Sequence, residues 1–327
     1  MKRLKILFLI CFFVLGGAVA ALAADAAEKV KVGVIHILGK HLDHIELRQG
    51  FLNGMKLKGY NVEVIGIFDA DIVSYPDAYI RRGIEEAKRM EAAGAQLIFC
   101  TAMYHGLKDG GIKIPIIDAV FLSPLILKYA VEKNNKKYIL GNATGTIFGY
   151  SIKAIADFVH DAMPKAKKMA YLYSPGTPTE RPESEIAEEA GKVGLKVVNC
   201  PYNGKNDIGE AVNKAIKDTD VLFTTNCMAL HGVEKTILDA AKAKNFPVIT
   251  AILHHVREGA LVGIQTDWHR AGEMCSDKAD KVLKGTPANE IPIEFSDRYE
   301  VSINVSVAEK LGIEIPYTIL QMATIIE

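Results

Sequence analysis

Val30-Lys31-Val32-Gly33-Val34-Ile35-His36-Ile37 is an apolar, largely β-branched run; Asp43 to Lys58 follows it, and then Asn61-Val62-Glu63-Val64-Ile65-Gly66-Ile67-Phe68. The first and third stretches read as strands and the middle one as a helix. Near-continuous apolar strands joined by a helix imply a parallel pair with a right-handed crossover, in a sheet covered on both faces. The unit then repeats. Asp77 to Ala93 reads as a helix with Arg81, Arg82, Glu85, Glu86, Lys88 and Arg89 outward, and Gln96 to Cys100 and Ile114 to Asp118 read as strands. After Gly141-Asn142-Ala143-Thr144-Gly145 the rhythm restarts. Strands are expected at 168–173, 195–200, 220–225, 247–251 and 261–265, and helices at 153–163, 183–193, 207–217, 230–244 and 270–283. The expected fold class is α/β, with two doubly wound parallel-sheet lobes joined by a hinge. Residues 29–146 with 263–290 are assigned to the first lobe, and 147–262 with 291–327 to the second. A single sheet of about ten strands is the alternative, and it is an unusual one.

The first 23 residues have a different composition. Lys2, Arg3 and Lys5 precede an apolar run from Ile6 to Ala21, and Ala21-Leu22-Ala23 gives a small-x-small cleavage pattern. This reads as a secretory signal peptide, cleaved near Ala23, which places the mature chain in the periplasm. Cleavage leaves 304 residues and removes three cations and no acids, so the formally neutral chain becomes one of net charge −3. That length suits two domains of ordinary size.

No basic run or aromatic–basic interleaving is present, so nucleic acid is not an expected partner. Four cysteines remain after cleavage, Cys100, Cys200, Cys227 and Cys275. An oxidising compartment permits disulfides, but the spacing favours none of the possible pairings, and no Cys-x-x-Cys pair suggests a redox or zinc site. There is no Gly-x-Ser-x-Gly elbow, His-Glu-x-x-His, Walker loop or dinucleotide glycine fingerprint. Cys100 or Cys227 beside a histidine would imitate a thiol enzyme, yet cysteines at strand ends are more often small core residues. The reading is of a non-enzyme with no cofactor and no metal.

A further set of fragments runs in order along the chain. Val32-Gly33-Val34-Ile35 is followed by Arg48-x-Gly50-Phe51-Leu52-x-Gly54-Met55-Lys56-x-Lys58-Gly59-Tyr60 and by Ile114-Pro115-Ile116-Ile117. Then come Gly141-Asn142-Ala143-Thr144-Gly145, Tyr171-Leu172-Tyr173-Ser174-Pro175-Gly176 and Arg257-Glu258-Gly259-Ala260-Leu261. Gly285-Thr286-Pro287-Ala288 and Asn304-x-x-x-Ala308-Glu309-Lys310-Leu311-Gly312-Ile313-x-Ile315-Pro316 close the series. Over essentially the whole mature chain this set resembles the substrate-binding proteins of ABC importers with the type I periplasmic fold, in the group whose known members include tryptophan and tyrosine binders. The resemblance implies a monomer that captures a small solute between its lobes, closes on a hinge and docks on the membrane permease of an ABC importer. A periplasmic sensor using the same fold for signalling is the alternative.

Ligand-contacting positions are expected in loops after strand ends, where ligands meet open α/β sheets. The candidates in the first lobe are His36 at the end of the first strand and His41 after it, Thr101, Met103 and Tyr104 after the third, and Phe121 and Ser123 after the fourth. Those in the second lobe are Asn226, Cys227 and His254, and Asp267 stands beside the only tryptophan, Trp268, near the expected hinge. Asp267 matches the family's acid before the late helix. Elsewhere the chain departs from the family pattern. His36 stands where Gln is common, Asn226-Cys227-Met228 replaces a Thr-Asp-Asn type cluster, and Ala251-Ile252-Leu253-His254-His255 replaces Ser-Asp or similar. These changes remove groups that would hold a desolvated zwitterion. The expected ligand is therefore aromatic or largely apolar, with an aromatic amino acid as the alternative. Histidines here act as neutral hydrogen-bonding groups, as metal ligands or, if protonated, as an anion clamp; simple solvated or backbone-bonded loop histidines are the plainer reading.

Overall fold

The computed structural model describes residues 29–40, 42–72, 74–75, 77–120, 129–147, 149–175, 181–204, 206–225 and 233–327. The first lobe is built from β1 (Lys29–His36), α1 (Leu42–Leu57), β2 (Asn61–Asp69), α2 (Tyr79–Ala92), β3 (Leu97–Thr101), α3 (Tyr104–Asp109) and β4 (Ile116–Val120). A hairpin, β5 (Ala130–Lys133) and β6 (Lys136–Ile139), leads to β7 (Ala143–Ile147). The second lobe then runs through α4 (Ile152–Ala162), β8 (Lys168–Tyr173), α5 (Glu183–Gly191), β9 (Lys196–Pro201), α6 (Ile208–Asp218), β10 (Val221–Thr224), α7 (Glu234–Ala243), β11 (Val248–Thr250), α8 (His254–Glu258) and β12 (Val262–Thr266). The chain returns to the first lobe with α9 (Trp268–Leu283), a 3-10 turn and β13 (Glu294–Phe295). It ends in the second lobe with β14 (Tyr299–Asn304), α10 (Val305–Leu311), α11 (Tyr317–Leu320) and β15 (Thr324–Ile326).

Two sheets result. The first has the order β13-β7-β4-β3-β1-β2 with every pair parallel. The second has the order β15-β14-β12-β11-β10-β8-β9 and is parallel except where β14 meets β12. That one reversal has a simple cause: β12 leaves the lobe at its carboxyl end and β14 re-enters at the same place.

Each sheet is covered on both faces, as continuous apolar strands require. Val30, Val32 and Val34 of β1 pack with Leu97 and Phe99 under α1 and α9, whereas Ile35, Ile98 and Cys100 lie on the opposite face with Met90 of α2 and Leu107 of α3. In the second lobe Met169, Tyr171 and Phe223 pack with Ile155 and Val159 of α4, and Ala170, Leu172 and Leu222 face Val212 of α6 and Ile237 of α7. The period-two alternation thus sorts each strand's side chains onto two separate cores.

The chain crosses between the sheets in three places, after β7, after β12 and after β13. Each crossing leaves from a strand's carboxyl end, so the carboxyl ends of both sheets border the region between the lobes. The crossing into α9 lies at Asp267, because β12 pairs with β11 and β14 in the second sheet. A lobe boundary at 263 therefore falls inside a second-sheet strand, and one at 291 falls before β13, which pairs with β7 in the first sheet.

Candidate functional site

The carboxyl end of β1 holds the most informative side chain. β1 and β3 pair with Ile35 opposite Cys100, so the next residues, His36 and Thr101, come side by side. Both are fully buried, and His36 Nδ1 lies 2.5 Å from Thr101 Oγ1. His36 Nε2 is also buried and has no hydrogen-bond partner among the described residues. Burial, with His44 and then Arg48 nearby, holds the His36 pKa well below its usual range. The ring is therefore neutral near pH 7 and offers one hydrogen bond, not a positive charge.

Aromatic groups surround it. The His44 ring, in the first turn of α1, stands edge-on to His36 at 5.5 Å, and Trp268 stacks on His44 at 6.2 Å. Phe99 meets His36 edge-on at 6.0 Å and stacks on Phe51 at 4.2 Å. An aromatic wall that carries buried ring nitrogens suits a flat solute with a polar group.

Asp267 is occupied locally. It is the N-cap of α9, its Oδ1 accepts the Arg270 amide at 2.8 Å, and its Oδ2 lies 3.5 Å from the Arg298 guanidinium. Capping with the carboxylate at the helix start satisfies orphan amides and complements the helix dipole. In the second lobe Thr250 Oγ1 accepts the Ile252 amide at 3.1 Å and lies 3.2 Å from His255 Nδ1. This fixes the turn after β11, with Ile252 and Leu253 half-buried and His254 exposed, its ring edge-on to His255.

Met103 and Tyr104 lie elsewhere than expected. α3 follows β3 after two residues, and Met103 at its N-cap and Tyr104 in its first turn both lie in the core on the α2 face, where they are buried. The Tyr104 hydroxyl donates to the Leu140 carbonyl, and its ring meets Tyr129 at 5.7 Å. The Cys100 thiol donates to Asp118 Oδ1 at 3.2 Å, and burial together with the Asp118 charge raises its pKa well above the usual value. A thiol held protonated in this way is no nucleophile. Cys100, Cys200 and Cys275 are free and buried. His41, Phe121, Ser123, Asn226 and Cys227 lie outside the described residues. Among the described residues, no group of three or more His, Cys, Asp or Glu side chains is placed to hold a metal ion, and no helix is long and apolar enough to cross a membrane.

Thr266 is a residue that sequence reasoning passed over. Its hydroxyl donates to the Gly149 carbonyl and accepts the Gly149 amide at 3.1 Å, tying two of the three crossings together. The available signal is its place at the end of β12, since strand ends are also where His36 and Thr101 stand.

Known proteins share this architecture. A tyrosine-binding protein of Clostridioides difficile (strain R20291) is 22% identical over 297 residues, which is 89% of this chain and 83% of that protein. An ABC domain from Streptococcus pneumonia, solved in complex with L-Trp, superposes with a TM-score of 0.70 at 21% identity, covering 91% of this chain and 100% of that one. A ligand-free, open substrate-binding protein with adhesive properties from Clostridium difficile gives a TM-score of 0.73 at 20% identity, covering 91% and 99%. The family model described as ABC transporter substrate binding protein matches residues 31–326, so this chain, with its two lobes and the buried aromatic wall around His36, belongs to that family.

Proposed function

We propose that this chain captures an aromatic or largely apolar organic solute between its lobes, outside the cytoplasm, and delivers it to the permease of an ABC importer. The observation that carries the ligand class is His36: a neutral imidazole whose buried Nε2 has no partner among the described residues, walled by His44, Phe99 and Trp268. An unpaired buried nitrogen costs free energy unless something arrives to bond it. One relative is a tyrosine-binding protein and another holds L-Trp, which supports a ring in the site. They also favour a second reading, a free aromatic amino acid. Against it stands Asp267, whose two carboxylate oxygens are engaged by Arg270 and Arg298 and do not await an ammonium group.

Calorimetry decides between the two. Tryptophan, tyrosine and phenylalanine are compared with the same ring compounds lacking the ammonium group, and with leucine and glutamate. Deaminated ring compounds should bind at least as tightly as the amino acids. Tight binding of the amino acids alone establishes the second reading, and no binding of any ring compound overturns the aromatic class. His36→Leu should weaken binding of the best ligand roughly 10- to 100-fold, the value of a buried hydrogen bond left unmade. Affinity should stay flat between pH 6.5 and 8, because a neutral His36 has no proton to lose there; a fall as pH rises points to a protonated clamp instead.

The extracytoplasmic placement rests on residues 1–23. N-terminal sequencing of protein recovered from the native host should begin near Ala24, and an intact Met1 in membrane-bound material would remove that placement.

A further inference from the structure

Arg181 sits just before α5, in the second lobe, yet its guanidinium lies over a first-lobe ring. Its Cζ is 4.4 Å from the centroid of Phe295 and 5.7 Å from that of Tyr150. Phe295 belongs to β13 and pairs with Ile147 in the first sheet. Tyr150 follows the first crossing and is packed into the second-lobe core, edge-on to Phe223 at 5.1 Å and with its hydroxyl 3.4 Å from that of Tyr171. Tyr171 in turn donates to the Arg181 carbonyl at 3.2 Å. The arginine is thus anchored by backbone and ring to one lobe and reaches across to the other.

Its surroundings strengthen that reach. The Arg181 side chain is only 15% exposed, and its carboxylate neighbour, Glu185, is at 3.6 Å, a loose ion pair. A partly desolvated guanidinium with a weak counter-ion interacts more strongly with an aromatic face than an exposed one. Lys137, on the first-lobe hairpin, approaches the same ring at 5.4 Å and belongs to the Phe295 side of the contact.

The crossings themselves are tied at the backbone. Thr266 bonds Gly149, the Ser296 amide donates to the Ile147 carbonyl at 2.9 Å, and the Asp267 amide donates to the Arg298 carbonyl at 3.1 Å. Arg270, at the start of α9, holds Asp297 with two bonds of 2.9 Å each. Rotation of the lobes about these tied crossings carries Arg181 and Tyr150 together and moves them relative to Phe295. The stacking energy therefore differs between lobe arrangements, and a contact with different energy in two states sets their ratio.

We propose that Arg181 is an interlobe latch: its stacking on Phe295 fixes the balance of open and closed states, and through it the apparent affinity for every ligand. The inference deepens the capture-by-closure reading and rests on it, but its first test needs no ligand. Spin labels attached through an unnatural amino acid at Lys88 and at Lys242 report the interlobe distance distribution of the unliganded full chain. Arg181→Met and Phe295→Leu should each shift that distribution, the double variant should shift it no further than either single one, and Arg181→Lys should fall between wild type and Arg181→Met. Circular dichroism confirms that each variant is folded. In the second arm, each variant changes the dissociation constant of every ligand that binds by one common factor, about 2- to 30-fold for a cation–π contact. Unchanged distributions, or single effects that simply add, overturn the latch. So does a change that differs from ligand to ligand, which makes Arg181 a direct ligand contact. If no tested ligand binds, the solute reading has failed and the distance measurements still decide the latch.

Discussion

Gly272→Ala is expected to destabilise the first lobe by several kcal/mol and to lower the melting temperature by on the order of 10 °C. The reason is how closely α1 and α9 cross. A Cβ on Gly272 would lie 2.0 Å from the Leu47 carbonyl oxygen and 2.7 Å from the Phe51 amide nitrogen. A Cβ on Gly50, across the same contact, would lie 1.9 Å from the His269 carbonyl oxygen. Both obstacles are backbone, which cannot rotate aside as a side chain can, so the helices must separate. Separation opens the core of Leu47, Phe51, Phe99 and Cys275 beneath them. Overpacking of about one methyl typically costs roughly 1–3 kcal/mol, and a rigid backbone obstacle puts this site at or above the top of that range. The same shift pulls Trp268, the first residue of α9, away from His44, so binding should suffer with stability. Gly209→Ala is the control. It lies in α6 with open space around its Cβ position, and alanine there should stabilise by about 0.5–1 kcal/mol. Thermal unfolding followed by circular dichroism checks both. A Gly272→Ala melting curve that overlays wild type would mean the two helices are not in backbone contact in solution.

Gly50 and Gly272 also mark where sequence reading stops. The strand–helix alternation from Val30 to Phe68 was plain, because a strand buried on both faces must be apolar throughout. The crossings were harder to locate. β14, Tyr-Glu-Val-Ser-Ile-Asn from Tyr299 to Asn304, alternates polar and apolar and lacks the continuous apolar run of the other strands, and β13 is two residues long. The hairpin between β5 and β6 turns on Asn134 and Asn135, both at positive φ, a turn signal that a sequence without glycine states only faintly. At the site, the sequence points to His36 and Thr101 only as strand-end positions; that their side chains meet follows from the register of β1 on β3, which no local pattern states. Met103 and Tyr104 misled because they follow a strand end, where ligand contacts are expected. Their apolar spacing with Leu107 marks instead a short helix that turns them into the core. His44 and Trp268 come together only through the approach of α1 to α9, a contact between residues more than two hundred positions apart that no local pattern encodes.

Asp118 supplies the second large effect, one that pH reveals. Its side chain is fully buried in the middle of β4, and Oδ1 accepts the Cys100 thiol at 3.2 Å. Oδ2 has no hydrogen bond among the described residues. Burial pushes its pKa up to about 6, against the opposing pull of the Cys100 thiol and the nearby amides of Met103, Tyr104 and Ala102. An unfolded aspartate titrates near about 3.9, so between these values the native state binds the proton more tightly than the unfolded chain. The sign follows. Above pH 6 the ionised, buried carboxylate weakens the fold. As pH falls through the folded value the native state takes up the proton, and stability from this group rises until the unfolded aspartate also protonates. The full difference is about 3 kcal/mol, at roughly 1.4 kcal/mol for each unit of pKa. Other acids pull the opposite way, since Asp280 and Asp297 are held below the usual carboxylate range by Lys284 and Arg270 among others. The total pH profile of one protein therefore hides the effect, and the difference between wild type and Asp118→Asn isolates it. Urea unfolding of both, from pH 7.5 down to pH 4.5, should show wild type gaining about 2 kcal/mol of that difference relative to the variant as acid is added. The variant should be at least as stable as wild type at pH 7.5, because its amide carries no buried charge. Parallel profiles across that range would mean that Asp118 keeps an ordinary pKa and that water or a cation reaches its carboxylate in solution.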